Sequence, residues 1–299
     1  MVGIKKLALL LIAGLPALSS SDAEKLASDY NQPRASLFVQ SAGQILSREY
    51  GNCHGAAVSR SCSQSERISF LALDAHTGAV IASRWENPEK PVPLGSLVKP
   101  FTALAYGERH QFIYPTHVCR GTSTGCWLPR GHGEVDLASA IANSCNSYFR
   151  MLTANMSVAD VSPVTGSFGL QLPAPESSGF SLAGVGTGWL ISPLSMANAY
   201  LELIRRRDQP GVRQVVAGMA QSAWRGTGAE VDRALEHPEA LVKTGTALCT
   251  HSKHAPGDGF VIAMMPAGDP QILVMVRVHG VPGAQAAKTA GQMLRRIEE

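Results

Sequence analysis

The sequence predicts an α+β fold in which one sheet is drawn from strands at both ends of the chain, with a block of helices inserted between them. Three observations carry this expectation. Two strand-like runs joined by a tight turn occupy residues 68–83, three more occupy residues 240–278, and helical periodicity dominates the stretch between. A length of 299 residues leaves room for a sizeable core, and no internal repeat or long linker divides the chain.

Ala35 to Tyr50 sets Leu37, Phe38, Ala42, Ile45 and Leu46 on one helical face, and Gly51 supplies a stop. Ile68 to Asp74 and Ala79 to Ser83 read as a hairpin whose bend is made by His76, Thr77 and Gly78. A polar, proline-containing loop over 84–93 leads to a helix from Ser96 to Tyr106. A second helix runs from Asp136 to Leu152, with Leu137, Ala140, Ile141, Cys145 and Tyr148 sharing a face. Ser, Pro and Gly between 153 and 185 predict loops and short helices, and Pro193 to Arg206 is helical. The closing strands are Ala240 to Leu248, Gly259 to Met265 and Gln271 to Val278, followed by a helix from Ala284 to Ile297.

Charge excludes one class of partner. Lys and Arg exceed Asp and Glu by only 3, with no basic stripe carrying interleaved aromatics, so no nucleic acid is expected. At the N-terminus, Lys5 and Lys6 precede an apolar run from Leu7 to Leu18 and then small residues, the layout of a cleaved signal peptide over residues 1–23. The run is shorter than the roughly 20 apolar residues that span a bilayer. The expectation is therefore an exported, periplasmic or otherwise extracytoplasmic chain, with an uncleaved membrane anchor as the alternative. Six cysteines suit an oxidising compartment, and the cheapest local disulfides are Cys53 with Cys62 and Cys119 with Cys126. Cys145 and Cys249 read equally well as buried thiols.

The chemistry-bearing residues begin at Ser96 and Lys99. Residues three apart share a helix face, and Pro100 is tolerated only near a helix start, which places Ser96 in the first turn, where exposed N–H groups favour a developing oxyanion. Serine becomes a good nucleophile when a base takes its proton, and lysine serves once burial lowers its pKa. Alone the pair is commonplace: a helix cap followed by a solvated lysine accounts for it. Two further motifs follow in order, Ser144-Cys145-Asn146 and Lys243-Thr244-Gly245-Thr246. Ser144 can relay a proton and the Asn146 amide can hold a peptide group. Lys243, Thr244 and Thr246 would receive a carboxylate, with Gly245 letting a ligand approach the strand.

The three motifs, in this order, resemble the penicillin-binding protein transpeptidase domain of the serine D,D-transpeptidase and β-lactamase-like superfamily. The likeness extends to the hairpin around Asp74, Thr77 and Gly78; to Cys126-Trp127, Gly131 to Leu137 and Ser144 to Phe149, similar to the elongation-type transpeptidases; to Gly184-Val185-Gly186 and Ile191 to Ala197; and to Gly226-Thr227-Gly228. Val242 stands where the family usually has glycine.

The resemblance implies a three-layer α/β/α domain over residues 66–299, with a central, mostly antiparallel five-stranded sheet and an inserted helical subdomain. Residues 24–65, a helix and a cysteine-containing loop, lead into it. It further implies catalytic roles for Ser96, Lys99 and Ser144 and substrate-binding roles for Asn146, Lys243, Thr244, Gly245 and Thr246. The N–H groups of Ser96 and Thr246 would form the oxyanion hole. Peptidoglycan stem peptides ending in D-Ala-D-Ala would be the substrate, β-lactams inhibitors and cell-wall synthesis proteins partners, with no cofactor and no metal. The alternatives are a serine β-lactamase and a non-catalytic wall-binding or β-lactam-sensing module. Elsewhere, His132 between two glycines reads as a turn residue. Cys249, His251 and His254 form no four-ligand set, Arg205 to Arg207 read as a solvated helix end, and Glu176 receives no role.

Overall fold

The computed structural model describes residues 37–51, 67–249 and 257–299. The chain divides into two units, Met1–Phe38 and Val39–Glu299, and almost everything described belongs to the second. The expected signal peptide over 1–23, the expected Cys53–Cys62 pairing, and His251 and His254 lie outside the described residues.

Residues 37–50 are helical (α1). The hairpin follows as β1 (Ile68–Asp74) and β2 (Val80–Arg84), its turn held by Asp74 Oδ1, which accepts from the N–H groups of His76 and Thr77. At the other end lie β7 (Leu241–Ala247), β8 (Asp258–Met265) and β9 (Ile272–Val278). These five strands form one antiparallel sheet in the order β2-β1-β9-β8-β7. The hairpin thus joins the C-terminal strands edge to edge, Ile68 opposite Val278 and Asp74 opposite Ile272.

Every residue of β8 is buried, so both faces of the sheet are covered and the domain has three layers. Because strand side chains alternate, Leu71, Leu73, Phe260, Ile262, Met264, Leu273 and Met275 enter the core shared with the helical insertion. Their neighbours Val261, Ala263, Val274 and Val276 face the other side, where the final helix (Gly283–Glu298) packs on β7, β8 and β9 with Ala286, Ala290, Met293 and Leu294 buried.

Between the hairpin and β7 the insertion contributes β3 (Val92–Pro93), α2 (Lys99–Arg109), β4 (His117–Cys119), β5 (Gly133–Val135), α3 (Leu137–Ala142), α4 (Asn146–Leu152), α5 (Val158–Ser167), α6 (Gly179–Leu182), β6 (Leu190–Ile191), α7 (Pro193–Arg205), α8 (Val212–Arg225) and α9 (Ala229–Ala234). The C-terminal helix Gly283–Glu298 is α10. Short ribbons join β3 to β6 and β4 to β5. The helix α8 was not expected; Val212, Val215, Met219 and Ala223 give it a buried face. Among the described residues, no helix is long and apolar enough to cross a membrane.

Two expected helices are broken, both at functional motifs. The one starting at Ser96 begins as a 3₁₀ turn, Gly95–Val98, and becomes α-helical only at Lys99, with Pro100 in the first α turn. The one over 136–152 ends at Ala142 and restarts at Asn146. Ser144, expected within a helix, sits between the two halves in the left-handed region at φ 49°.

Candidate active site

The Ser96 turn is held from three sides. Tyr200 Oη donates to the Leu97 carbonyl at 2.9 Å, and Thr102 Oγ1, which donates to the Leu182 carbonyl at 2.6 Å, also reaches the Val98 carbonyl at 3.4 Å, all inside the core. The third side is β7. Gly95 has φ 55°, and a Cβ there would lie 2.1 Å from the Thr246 carbonyl oxygen, so only glycine lets the turn press against the strand. Gly245 serves the same contact: a Cβ on it would lie 2.5 Å from the Leu94 carbonyl oxygen. Its missing side chain thus makes room for the Ser96 turn, while its backbone lines the cleft. Ser96 and Thr246 are thereby adjacent.

Behind Ser96 two lysines are wholly buried. Lys99 Nζ donates to Asn146 Oδ1 at 2.6 Å, to the Ser144 carbonyl at 2.8 Å and to Ser144 Oγ at 3.4 Å. Lys243 Nζ donates to Ser144 Oγ at 2.9 Å and to the Thr244 carbonyl at 2.8 Å. Ser144 Oγ therefore lies between two amines, a position the left-handed turn creates. Burial lowers the Lys99 pKa to about 7, and the nearby Cys145 and Cys126 thiols oppose the shift. Burial, then the charge of Lys99, holds Lys243 well below the ordinary lysine range. Ser96 and Lys99 share no hydrogen bond, although their spacing predicts that they meet.

These residues floor a cleft of about 300 Å³ lined by Ser96, Ser144, Asn146, Thr244, Gly245 and Thr246. Lys243 reaches it from below, through Ser144. Trp127, Thr227 and Val185 are among the lining residues that carried no predicted role. Trp127 forms a wall and donates Nε1–H to the Asn143 and Ser144 carbonyls at 3.1 and 3.2 Å. Thr227 Oγ1 pairs with Thr244 Oγ1 at 2.5 Å. Val185 adds an apolar surface. The Cys126-Trp127, Gly184-Val185-Gly186 and Gly226-Thr227-Gly228 motifs had marked their segments. Thr246 Oγ1 accepts the Gly283 N–H at 2.9 Å, which leaves its own O–H free to donate into the cleft.

The model of the penicillin-binding protein transpeptidase domain matches residues 68–299. The chain belongs to this family. Its fold is that of solved family members: penicillin-binding protein 2 of Pseudomonas aeruginosa in complex with WCK 5153 (TM-score 0.65, 18% identity, 87% of this chain and 73% of that one); penicillin-binding protein 2 of Helicobacter pylori in complex with MreC (0.67, 16%, 87% and 62%); and the transpeptidase domain of Burkholderia pseudomallei penicillin-binding protein 3 (0.62, 16%, 89% and 92%). A search of curated proteins finds no match.

One sequence expectation about the cysteines needs correction beside this transpeptidase cleft. Cys119 and Cys126 are free thiols and not a disulfide, because both turn toward His132 and not toward a bond with each other. Cys119, Cys126, His132 and Cys145 bring four possible ligand atoms within 4.8 Å of one another. Cys249, Asp258 and His279 form a second, three-donor group, in which His279 Nδ1 lies 3.1 Å from Asp258 Oδ1.

Proposed function

We propose that this transpeptidase domain is a serine acyltransferase acting on the D-Ala-D-Ala end of peptidoglycan stem peptides through an acyl-enzyme at Ser96, and that penicillin acylates the same residue. The observation that carries the reading is the Ser144 hydroxyl held between the amines of Lys99 and Lys243 at the floor of the cleft that Ser96 lines.

In this reading neutral Lys99, available because its pKa falls near neutrality, takes the Ser96 Oγ proton as Oγ attacks the carbonyl of the penultimate D-Ala. Lys99 must first loosen its bonds to Asn146 and Ser144, and catalytic contacts of this kind often tighten only with substrate bound. The tetrahedral oxyanion takes the N–H groups of Ser96 and Thr246, adjacent because Gly95 and Gly245 allow the turn and strand to touch. The C–N bond then breaks. Its electron pair leaves with the D-Ala nitrogen, which receives the proton relayed from Lys99 through Ser144 Oγ. The acyl group passes to an acceptor amine or to water, which restores Ser96–OH.

Thr246 and Thr244 meet the terminal carboxylate, Lys243 stabilises it from beneath, and Asn146 holds the stem amide. A bound carboxylate supplies the countercharge that buried Lys243 lacks. We also place the chain outside the cytoplasm, on the pattern of Lys5, Lys6 and Leu7 to Leu18, among cell-wall synthesis proteins as partners. The test is D-Ala release from a stem pentapeptide, with and without an acceptor amine. Wild type releases D-Ala, Ser96→Ala does not, and cross-linked product separates transfer from hydrolysis. Sustained fast turnover of nitrocefin with no D-Ala release would instead mark a β-lactamase.

A further inference from the structure

Three neighbouring strands end side by side next to the cleft. β8 lies between β7 and β9, with Ala247 opposite Asp258 and Gly259 opposite Val278, so the residues at and just beyond these pairs gather at one end of the sheet. They include Cys249, two residues past β7, Asp258, which starts β8, and His279, which follows β9. Cys249 has no second donor pair near it in sequence, and the sheet brings it one. Its sulfur, an Asp258 oxygen and a His279 ring nitrogen all lie within 4.8 Å of one another.

His279 Nδ1 is 3.1 and 3.2 Å from the two Asp258 oxygens, and Cys249 is hydrogen-bonded to the same carboxylate. Zinc bonds of about 2.3 Å to sulfur and about 2.0–2.2 Å to nitrogen or oxygen, at tetrahedral angles, separate O from N by about 3.4 Å and S from O by about 3.6 Å. The carboxylate is a second, independent observation. Asp258 is only 2% exposed, yet among the described residues it forms no ion pair with a lysine or arginine. Arg277, on β9, sends its guanidinium instead to Ser69 Oγ at 3.0 Å and to the face of Trp85. A buried carboxylate needs a countercharge, and a divalent cation supplies it with His279 neutral.

We propose that Cys249, Asp258 and His279 Nδ1 bind a zinc ion that fastens the ends of β7, β8 and β9 together beside the cleft. On binding, the Cys249 thiol releases its proton and His279 coordinates through Nδ1 with its ring proton on Nε2. One Zn–S, one Zn–O and one Zn–N bond form, with no change of oxidation state. Three protein ligands leave the fourth tetrahedral position to water. The ion stands between two walls of the cleft: Leu248 precedes Cys249, and Pro282 follows His279 by three residues, and both line it. Gly283 N–H already donates to Thr246 Oγ1 at 2.9 Å. The metal bonds and this hydrogen bond together hold the β9–α10 turn against the strand that carries Thr244 and Thr246.

The full chain, purified reduced and supplied with zinc, is compared with Cys249→Ser and His279→Ala. Each variant should hold one zinc fewer per molecule than wild type by elemental analysis after desalting, a difference that cancels any ion held elsewhere. With cobalt in place of zinc, the wild-type spectrum minus that of Cys249→Ser should show the ligand-field bands of a tetrahedral site and thiolate charge-transfer absorption. Zinc should also slow alkylation of Cys249 by iodoacetamide about tenfold or more, read by mass spectrometry on its own peptide, because a metal-bound thiolate is shielded from attack. Equal zinc content in folded wild type and folded Cys249→Ser, or alkylation that zinc does not slow, would overturn the site. A disulfide joining Cys249 to Cys53 or Cys62 in protein made in its own compartment would do the same. Where a variant fails to fold, the wild-type alkylation rate with and without zinc decides alone. None of these readouts depends on acyl transfer at Ser96.

Discussion

Two buried amines flank one hydroxyl, and their protonation controls the proposed chemistry. Lys99, with its pKa near 7, is protonated and unable to act as a base below neutrality. The acylation rate should therefore fall about tenfold per pH unit on the acid side of this value and level off above it. Stopped-flow labelling with a fluorescent penicillin across neutrality checks this; a flat acid limb would contradict it. Lys99→Arg should abolish labelling, because a guanidinium stays charged at any usable pH. Ser144→Gly separates chemistry from folding: glycine accepts the left-handed φ of 49°, so stability should change by less than about 1 kcal/mol, while acylation falls roughly 10²-fold or more. A thermal melt run beside the labelling assay reads both. Ser96, Lys99, Ser144, Asn146, Thr244 and Thr246 were legible as short motifs because their chemistry depends on residue type. The burial of Lys243 beneath Ser144 was not, since a motif carries no depth.

At the scale of elements, the site depends on close backbone contact between the Ser96 turn and β7. Gly245→Ala would force a Cβ to 2.5 Å from the Leu94 carbonyl. Overpacking of this kind costs about 1–3 kcal/mol, and acylation should fall because the Ser96 and Thr246 N–H groups separate. Urea unfolding and penicillin labelling of the same preparation check both effects. The family's usual glycine before Lys243 is Val242 here, and the exchange is accommodated nearby: a Cβ on Gly228 would lie 2.4 Å from Val242 Cγ1. The break at 143–145 was hidden in the sequence for a physical reason. Cys145 N–H bonds back to the Ala140 carbonyl, and Ala140, Ile141, Cys145 and Tyr148 are buried on both sides of the turn, so the apolar period passes through it unbroken. The cluster of Cys119, Cys126, His132 and Cys145 was not legible because its members come from a strand, the loops beside it and a helix junction, far apart in sequence.

For the molecule as a whole, the five strands of the main sheet and the long terminal helix were legible to within a residue or two, since β8 and β9 are mostly apolar and α10 has a clear buried face, whereas the short strands β3 to β6 were not expected. The order in which the strands pair was not legible, because strand periodicity does not say which edge a hairpin joins. The sheet and the insertion share one core, so damage in the sheet should reach the site. Phe260 is buried in β8 opposite Gly245. Phe260→Ala should cost about 3–5 kcal/mol and lower acylation with it, as denaturant unfolding and labelling would show. The most direct measurement remains the position of the acyl group. The chain treated with benzylpenicillin, digested and mapped by mass spectrometry should carry one adduct on Ser96, and Ser96→Ala should carry none. An adduct on another residue, or equal labelling of the variant, would contradict the account.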